Sequence, residues 1–235
     1  MAMSDMRVPK HVALIMDGNR RWARARGVEE ADGHRRGRDM IKPLIAYGLD
    51  HGIEVMTFWA FSTKNFKRDR EFLKQLFGVF RETLGLKSWF EEIREAEGEV
   101  RIIGDLSGFP KDIVRRLKKF VEEGHVENPR MVVNFALGYE GRDEIVRAVR
   151  KMVEAGEDIA SIDEGMMEKY LDTAGLPDVD LLIRTGGDLR LSGYLLWQVA
   201  DAELYFTETL WPDFEVGKLE KALEEFRSRD RRFGR

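Results

Sequence analysis

The sequence predicts an α/β fold in which a central, mostly parallel β-sheet is surrounded by helices. Short apolar runs rich in β-branched and aromatic residues, typical of buried strands, alternate with longer amphipathic segments along the 235 residues. Polar clusters follow four of these runs directly, as is expected where parallel strands end at one edge of a sheet. No linker-like segment divides the chain, so we expect one domain over residues 1–235.

The composition argues against several classes of function. The net charge of −4 disfavours a general nucleic-acid-binding protein, and the absence of cysteine excludes disulfides and thiolate metal sites. No apolar run approaches the roughly 20 residues that span a bilayer, and residues 1–10 do not resemble a signal peptide. We therefore expect a cytoplasmic protein with at most peripheral membrane contact and no nucleic-acid partner.

The first predicted strand, residues 11–16, ends in a polar cluster that suits a diphosphate. Gly18 allows the backbone to approach a ligand, and the first amides of the following helix favour an anion. Arg20 and Arg21 add positive charge, whereas Asp17 is a carboxylate that a Mg²⁺ ion would reconcile with phosphate. A buried strand followed by a plain turn and a solvated basic helix explains the same residues without any ligand.

The next elements follow from their periodicity. Residues 40–49 have helical spacing, and residues 53–61 form a β-branched and aromatic run that predicts a second buried strand. The polar loop 62–68 then follows, either as a second ligand-binding edge or as a plain connection. Residues 71–96 form the longest predicted helix, and its wide apolar face suits either a core helix or one that also lines an apolar cavity.

The rest of the chain alternates in the same way. Residues 195–206 are apolar except for Glu203, whose buried charge would need a partner. Strands are predicted over 99–104, 131–137 and 180–183, and helices over 110–123, from 142 to about 155, from 161 to about 172, and over 211–229.

In a parallel sheet, the polar clusters that follow the strands converge at one edge. Together with His34, which stands at the start of a helix, they offer several arginines, Asp17 as the carboxylate assigned to the site, and no nucleophile beside an obvious base. This combination favours diphosphate chemistry driven by charge stabilisation and Mg²⁺ over covalent catalysis. Neither GxxxxGK[ST] nor GxGxxG is present, which disfavours mononucleotide and dinucleotide binding. The converging clusters are 17–22, 62–68, 138–142 and 184–192.

Several long motifs together resemble the cis-prenyltransferases, in particular undecaprenyl diphosphate synthase-like enzymes. They are HVALIMDGNRRW, GH-RR-G, AFSTKNFKR, RIIGD, DLLIRTGGDLRLSGYLLWQVADAELYF, WPDF and a terminal RRFG. The resemblance implies a parallel sheet with surrounding helices, an apolar tunnel and a homodimer. It also implies Mg²⁺-dependent, repeated cis addition of isopentenyl diphosphate to an allylic diphosphate primer of the farnesyl or geranylgeranyl class. The product would be a polyprenyl diphosphate, a precursor of a glycan carrier lipid.

The resemblance also implies residue roles. Asp17 and Glu203 correspond to Mg²⁺ ligands, and Asn65 corresponds to a proposed proton acceptor. Residues 232–234 correspond to a terminal motif that completes the isopentenyl site across the dimer. The implied catalytic residues are Asp17, Asn65, Ser62 and His34, and the implied substrate-binding residues are Gly18, Asn19, Arg20, Arg21, Trp22, His34, Ser62, Thr63, Lys64, Phe66, Arg68, Arg184, Arg190, Leu191 and Ser192.

Some positions depart from the family pattern. Lys64 stands where the family usually has Glu, Glu30 where it usually has Arg, and Arg20 where a small residue is common. We hypothesise that Glu30 and Lys64 form a replacement ion pair across a closed loop. Arg26 and Arg38 are candidates for the positive charge that Glu30 removes.

Other features bear on the product and on rival functions. The tunnel is expected between the 71–96 helix and the central strands. Three rivals to the synthase are a non-catalytic partner subunit, a phosphohydrolase that uses Asp17, and a prenyl carrier that binds without turnover. Such partner subunits lose the Asp and loop residues that this chain keeps, and a phosphohydrolase would carry a second Asp at position 19, where this chain has Asn. The residues expected to set tunnel depth are Phe80, Leu84, Met131 and Leu137.

Overall fold

The computed structural model describes residues 7–229, apart from the side chains at 87–90 and 159. The α/β class and the parallel sheet are confirmed, because all neighbouring strands of one six-stranded sheet run parallel. The strands are β1 (His11–Ile15), β2 (Val55–Ser62), β3 (Gly98–Ile103), β4 (Met131–Tyr139), β5 (Leu181–Arg184) and β6 (Glu203–Phe206). Their order across the sheet is β3-β4-β2-β1-β5-β6, so β1 and β2 are central.

Helices connect the strands. Within residues 7–229 they are α1 (Asn19–Arg26), α2 (Glu30–Asp39), α3 (Ile41–Asp50), α4 (Arg70–Thr83), α5 (Lys87–Glu95), α6 (Lys111–Glu123), α7 (Gly141–Ala155), α8 (Glu164–Tyr170) and α9 (Val216–Ser228). Short 3-10 turns occupy Thr63–Lys67, Ile159–Ser161 and Trp211–Asp213. No helix in this part of the chain is long and apolar enough to cross a bilayer.

The core lies on both faces of the sheet because side chains alternate along each strand. Val12 and Leu14 of β1 pack with residues of α3 and α9. Ala13 and Ile15 point to the opposite face and pack with residues of β5 and the segment that precedes β6. A third cluster joins α4 and α6 to the ends of β2 and β4, and its centre is a group of phenylalanines. This cluster places aromatic walls close to the carboxyl edge of the sheet.

Several elements differ from the sequence-based expectation. The helix predicted over residues 211–229 is the 3-10 turn Trp211–Asp213 followed by α9, and strand β6 was not predicted. The helix predicted over residues 71–96 is two helices, α4 and α5, because the chain leaves helical geometry around Gly85. Asp163 rather than Ser161 caps α8, since the Asp163 side chain accepts a hydrogen bond from the Met166 amide. Helix α2 was not predicted, and His34 lies in its middle rather than at a helix start.

Helix α2 was not predicted because it has almost no apolar side chains to give a helical pattern. Its buried positions are Ala31, Gly33 and Gly37, so it packs through backbone instead of through a hydrophobic stripe. A β-carbon at Gly33 would lie 2.3 Å from the backbone oxygen of Asn19 at the start of α1. A β-carbon at Gly37 would lie 2.7 Å from the Trp211 ring. These glycines therefore allow α2 to lie directly against α1 and the 211–213 turn.

We expect Gly33→Ala to lower the free energy of unfolding by about 2 kcal/mol, because the new methyl group would push apart two helices that meet backbone to backbone. Gly78→Ala is the matched control, since Gly78 is also helical and has open space where its β-carbon would lie. That control is expected to gain about 0.5 kcal/mol from helix propensity. Urea unfolding of both variants measures the difference, and equal stabilities would contradict the close packing of α1 and α2.

His11 is buried at the start of β1 and makes the stability of the fold depend on pH. Its Nδ1 lies 2.8 Å from the Pro177 carbonyl oxygen and its Nε2 lies 2.7 Å from the Thr57 hydroxyl. Burial lowers the pKa of His11 to about 4, from 6.5 for an exposed imidazole. The unfolded chain therefore binds a proton more readily between these two pH values than the folded chain does.

Because the folded pKa of His11 is depressed, its effect on stability is absent above pH 6.5 and grows as the pH falls towards 4. We expect this residue to remove up to roughly 3 kcal/mol of unfolding free energy by pH 4. His11→Gln does not titrate there, so its unfolding free energy is expected to fall less steeply from pH 7 to pH 4.5. Urea unfolding at several pH values gives both slopes, and identical slopes would contradict a neutral buried His11.

Candidate active site

The carboxyl ends of β1, β2 and β5 lie side by side. Ile15 pairs in register with Trp59 on one side and with Arg184 on the other, so the loops that follow these strands meet at one edge. Glu140 follows β4 at the same edge, because Tyr139 is paired with Ser62. The predicted convergence of polar clusters is therefore present in the structure.

Asp17 stands at the centre of this edge, between two arginines. Its Oδ1 accepts a hydrogen bond from Arg21 at 3.2 Å, and its Oδ2 accepts one from Arg184 at 3.0 Å. The Asp17 side chain keeps 32% of its surface exposed, whereas Arg184 keeps only 4%. A carboxylate with open oxygens beside fixed guanidinium groups can share a cation with a bound diphosphate.

The loop after β5 holds the Asp17 backbone. The Thr185 hydroxyl donates to the Asp17 carbonyl oxygen at 2.7 Å and accepts from the Asp17 amide at 3.0 Å. Gly186 has a φ of +87°, and a β-carbon there would lie 2.5 Å from an Arg21 nitrogen. Gly18 has a φ of +117° and lies tightly against Leu210. Glycine at 186 allows the β5 loop to pack against the β1 loop, and glycine at 18 allows the β1 loop to pack against the segment that follows β6.

Arg184 joins the loops around the site. Its guanidinium donates to the Ser192 hydroxyl at 2.7 Å and to the Arg190 carbonyl oxygen, in addition to Asp17 and Asp188. Burial alone would raise the pKa of Asp188, but Arg190, Arg184 and Arg21 together hold it below its usual value. Asp188 is therefore ionised and balances the arginines next to the Asp17 carboxylate.

Helices α1 and α2 supply a second group of arginines. The Glu30 carboxylate accepts from Arg20 Nε at 2.6 Å and from two nitrogens of Arg24. The hypothesised ion pair between Glu30 and Lys64 is therefore wrong, since Lys64 pairs instead with Glu140 at 2.6 Å. Glu30 instead contacts arginines of the preceding helix α1. Lys64 contacts Glu140, which follows strand β4, whereas Lys64 itself follows β2.

Arg38 and Arg24, but not Arg26, supply positive charge to the cavity. Arg38 and Arg24 both line it. Arg26 instead lies 4.3 Å from the centre of the Trp22 ring and forms an ion pair with Asp213. Trp22 donates its indole N–H to the same Asp213 carboxylate at 2.7 Å. The Arg26 and Trp22 side chains therefore fix α1 to the 211–213 turn.

The loop after β2 is ordered by its own side chains. Ser62 and Asn65 form a capping box, in which the Ser62 amide donates to Asn65 Oδ1 at 2.8 Å and the Lys64 amide donates to Ser62 Oγ at 3.1 Å. Thr63 Oγ1 lies 3.3 Å from Glu140 Oε2, so one carboxylate accepts from both Thr63 and Lys64. Lys64 also reaches the Ser192 carbonyl oxygen at 3.4 Å, which joins this loop to the one after β5.

Three buried polar atoms at this edge have no protein partner within residues 7–229. They are Asn19 Oδ1, His34 Nε2 and Arg184 Nε, and their residues all line the same cavity. Burial lowers the pKa of His34 to about 4, so its imidazole is neutral at pH 7. Unpaired buried polar atoms are costly, and a polar ligand or water can satisfy them.

The cavity has a volume of about 580 Å³, within the range of small-molecule sites. Its polar rim comes mainly from α1, α2 and the loops after the strands, and its apolar interior mainly from α4 and strands β2, β3 and β4. The apolar lining includes Phe61, Phe72, Leu76, Val79, Phe80, Leu84, Ile102, Phe135 and Leu137. The polar lining includes Asp17, Asn19, Arg20, Arg21, Arg24, His34, Arg38, Ser62, Lys64, Asn65, Arg68, Thr83, Arg184 and Ser192, with Gly18 among the backbone positions.

Some residues predicted for the site or the tunnel lie away from the cavity lining. Met131 begins β4 and is buried in the core beneath the sheet, so it does not share the cavity with Phe80, Leu84 and Leu137. Phe66 packs 4.7 Å from the centre of the Phe61 ring, behind the cavity wall. Trp22, Thr63, Arg190 and Leu191 are also outside the lining, while residues 232–234 lie outside the described part of the chain.

Glu203 lies at the amino ends of the parallel strands, whereas Asp17 lies at their carboxyl ends. It is the first residue of β6 and pairs with Leu181 at the start of β5. Its carboxylate accepts from Arg229 at 3.0 Å, and this arginine is the charge partner that the apolar sequence around Glu203 required. Within one chain, Asp17 and Glu203 do not meet. No cluster of three or more acidic or histidine side chains in residues 7–229 forms a metal site by itself.

Three residues of the site lie within the clusters that were predicted to converge but were assigned no role of their own. Glu140 and Asp188 hold Lys64 and Arg184 from outside the cavity, and Thr185 holds the Asp17 backbone. All three come shortly after a strand, and this position is the signal that could have found them. Position alone does not separate groups that bind a ligand from groups that hold those ligand-binding groups in place.

Comparisons with known proteins agree with this geometry. A family model described as "Putative undecaprenyl diphosphate synthase" matches residues 15–234. An isoprenyl transferase of Bacillus subtilis strain 168 is 42% identical over 234 residues, which cover 97% of this chain and 88% of that protein. Lavandulyl diphosphate synthase from Lavandula x intermedia, solved in complex with dimethylallyl diphosphate, has a TM-score of 0.90 at 36% identity and covers 97% of this chain and 98% of that one. A probable undecaprenyl diphosphate synthase from Campylobacter jejuni has a TM-score of 0.81 at 31% identity and covers 98% of this chain and 100% of that one.

Proposed function

Because the chain belongs to the undecaprenyl diphosphate synthase family and is an enzyme that transfers prenyl groups, we propose that it is a Mg²⁺-dependent cis-prenyltransferase. It would condense isopentenyl diphosphate repeatedly with an allylic diphosphate primer of the farnesyl or geranylgeranyl class. One observation carries the proposal: a rim of cationic side chains around a single carboxylate opens onto an apolar cavity. Such a site holds a diphosphate at its rim and a hydrocarbon chain inside.

The residues at the rim suit the charge that develops in this reaction. The allylic C–O bond breaks, diphosphate leaves with both bonding electrons, and a carbon–carbon bond forms with the alkene of isopentenyl diphosphate. Arg20, Arg21 and the neighbouring α1 amides are placed to hold the primer diphosphate. Arg184 and Ser192 are placed to hold isopentenyl diphosphate. Fixed guanidinium groups stabilise the leaving charge without having to reorganise during the reaction.

The donor set fits a Mg²⁺ ion that is shared with substrate. Mg²⁺ in enzymes commonly has one or two carboxylate ligands and takes its other ligands from phosphate oxygens and water. Asp17 would hold the ion, which, when bound, would neutralise charge on the leaving diphosphate. Because Glu203 lies at the other ends of the strands from Asp17 within its own sheet, it could be a second ligand only if it came from another copy of the chain. We accordingly propose a homodimer, with residues 232–234 contributing to the isopentenyl site.

The apolar interior explains why hydrocarbon growth can occur beside ionic groups. Phe72, Phe80 and Phe135 are among the side chains that exclude water from an allylic cation. Ser62 and Asn65 line the cavity. There, C2 of the isopentenyl unit would lose a proton to an acceptor such as Asn65, and the electrons of that C–H bond would form the new double bond. We propose a cytoplasmic enzyme with at most peripheral membrane contact, whose polyprenyl diphosphate product serves a glycan carrier lipid.

Incorporation of labelled isopentenyl diphosphate tests the proposal. The full-length protein is incubated with Mg²⁺ and either farnesyl or geranylgeranyl diphosphate, and butanol-extractable products are sized by chromatography. We expect polyprenyl products that disappear with EDTA. Release of inorganic phosphate from simple phosphoesters would favour a phosphohydrolase instead. Primer binding without incorporation by a folded dimer would favour a prenyl carrier or a partner subunit, and either result would overturn the proposal.

A further inference from the structure

Glu30 is the residue of the site whose presence is hardest to explain by charge alone. It is a carboxylate close to a rim that attracts diphosphate, and it does not itself line the cavity. Its side chain is 25% exposed and lies behind Arg20 and Arg24, both of which do line the cavity. Bonds to Arg20 hold the pKa of Glu30 below its usual value against the opposing effect of burial, and Arg24 lowers it further, so Glu30 is ionised at pH 7.

The contacts of Arg20 leave its outer nitrogens available. Arg20 uses Nε for Glu30, and no hydrogen bond from its two terminal nitrogens occurs in the described part of the chain. The centre of its guanidinium lies 5.3 Å from the centre of the Phe72 ring, which also lines the cavity. A guanidinium held at Nε and against an aromatic ring presents a planar pair of donors, the arrangement that binds two phosphate oxygens at once.

We propose that Glu30 is a positioning residue that holds Arg20 and Arg24 in place for the diphosphate of the allylic primer, an inference that rests on the proposed function. The primer diphosphate is the relevant one because Arg20 lies on α1, three residues after Asp17. Ion pairs with Glu30 restrict two long, flexible side chains, so less rotamer entropy is lost when the diphosphate binds. The gain from this order exceeds the repulsion between the Glu30 carboxylate and the diphosphate.

Removing the Glu30 charge distinguishes this role from a purely electrostatic one. If only the sum of nearby charges mattered, Glu30→Gln would strengthen diphosphate binding, because one negative charge disappears from the neighbourhood. If Glu30 positions the arginines, the same change weakens binding, since a neutral amide cannot hold two guanidinium groups with comparable strength. The two explanations therefore predict opposite signs.

Calorimetric titration of the full-length protein with inorganic diphosphate and Mg²⁺ is the direct test. We expect Glu30→Gln to weaken binding about tenfold, and Glu30→Asp to recover part of that loss. The matched control is Glu82→Gln. Glu82, on α4, pairs at 2.8 and 2.9 Å with Arg35, which lies on α2 like Glu30, but neither Glu82 nor Arg35 lines the cavity. Its affinity for diphosphate is expected to equal that of the wild type. Unchanged or tighter binding by Glu30→Gln would overturn the proposal.

Steady-state kinetics of the same variants separates this proposal from the proposed function. Glu30→Gln is expected to raise the KM for the primer more than it lowers kcat, while Glu82→Gln changes neither. If the wild type shows no prenyl transfer but Glu30→Gln binds diphosphate more weakly, the positioning role of Glu30 is supported and the synthase function is rejected. If the wild type transfers prenyl groups but Glu30→Gln has an unchanged KM for the primer, the synthase function is supported and the positioning role is rejected.

Discussion

Asp17→Ala is expected to reduce prenyl transfer at least about 1,000-fold. Asp17 is the only acidic side chain that lines the cavity within residues 7–229, so no other carboxylate there can take its place beside the diphosphate. Its loss also leaves Arg21 and Arg184 without the acceptor that aligns them at the rim. Measurement of kcat with saturating isopentenyl diphosphate and primer gives the size of the effect.

Two variants control this result. Asp17→Asn keeps the shape and one hydrogen-bond acceptor but removes the charge, and we expect it to lose nearly as much activity as Asp17→Ala. Asp112→Asn removes a partly exposed carboxylate that pairs with Arg81, and neither residue lines the cavity, so we expect it to stay within about twofold of wild type, the scale of a surface ion pair. Near-normal turnover by Asp17→Asn would show that the Asp17 charge takes no part in catalysis.

Arg184→Ala is expected to have the second-largest effect, and it acts on both stability and activity. Arg184 is 4% exposed and donates to four groups in two loops, including Asp17, Asp188 and Ser192. Breaking a buried ion pair on one side leaves its partners without compensation, which costs about 3 kcal/mol. We expect a loss of this size in unfolding free energy and a fall in kcat/KM for isopentenyl diphosphate of at least about 100-fold.

Arg184→Lys separates the two effects. The ammonium keeps a positive charge near Asp17, but its three donors on one nitrogen cannot replace the four hydrogen bonds that two guanidinium nitrogens make. We expect this variant to regain most of the stability that alanine loses but little of the activity. Thermal unfolding and kinetics on the same preparations give both values, and full activity in the lysine variant would contradict a role for the guanidinium geometry.

The sheet and the site edge could be predicted because their signals are local. Buried strands of a parallel sheet are continuous apolar runs, and the polar residues that follow them mark the edge where ligands bind. These two signals are enough to place Asp17, Ser62 and Arg184 together from the order of residues alone. Helix α2 gives no such signal, because its buried positions are alanine and glycine, and it packs by close backbone approach.

Pairing between charges could not be predicted in the same way. Glu30 and Lys64 have opposite charges and were expected to meet, but each has a nearer partner that the fold brings to it. Glu203 and Asp17 both correspond to metal ligands in the resemblance. Strand register places them at opposite ends of the strands, a relation that no single stretch of sequence contains.

In the proposed synthase, one cavity holds the diphosphate at its rim and the prenyl chain inside. A crystal structure with Mg²⁺ and an unreactive thio analogue of farnesyl diphosphate tests this arrangement directly. We expect the diphosphate to contact Asp17 through the metal and to accept from Arg20 and Arg21, with the prenyl chain against Phe72 and Leu137. A prenyl chain bound outside this cavity, or a diphosphate that makes no contact with residues 17–21, would contradict this arrangement.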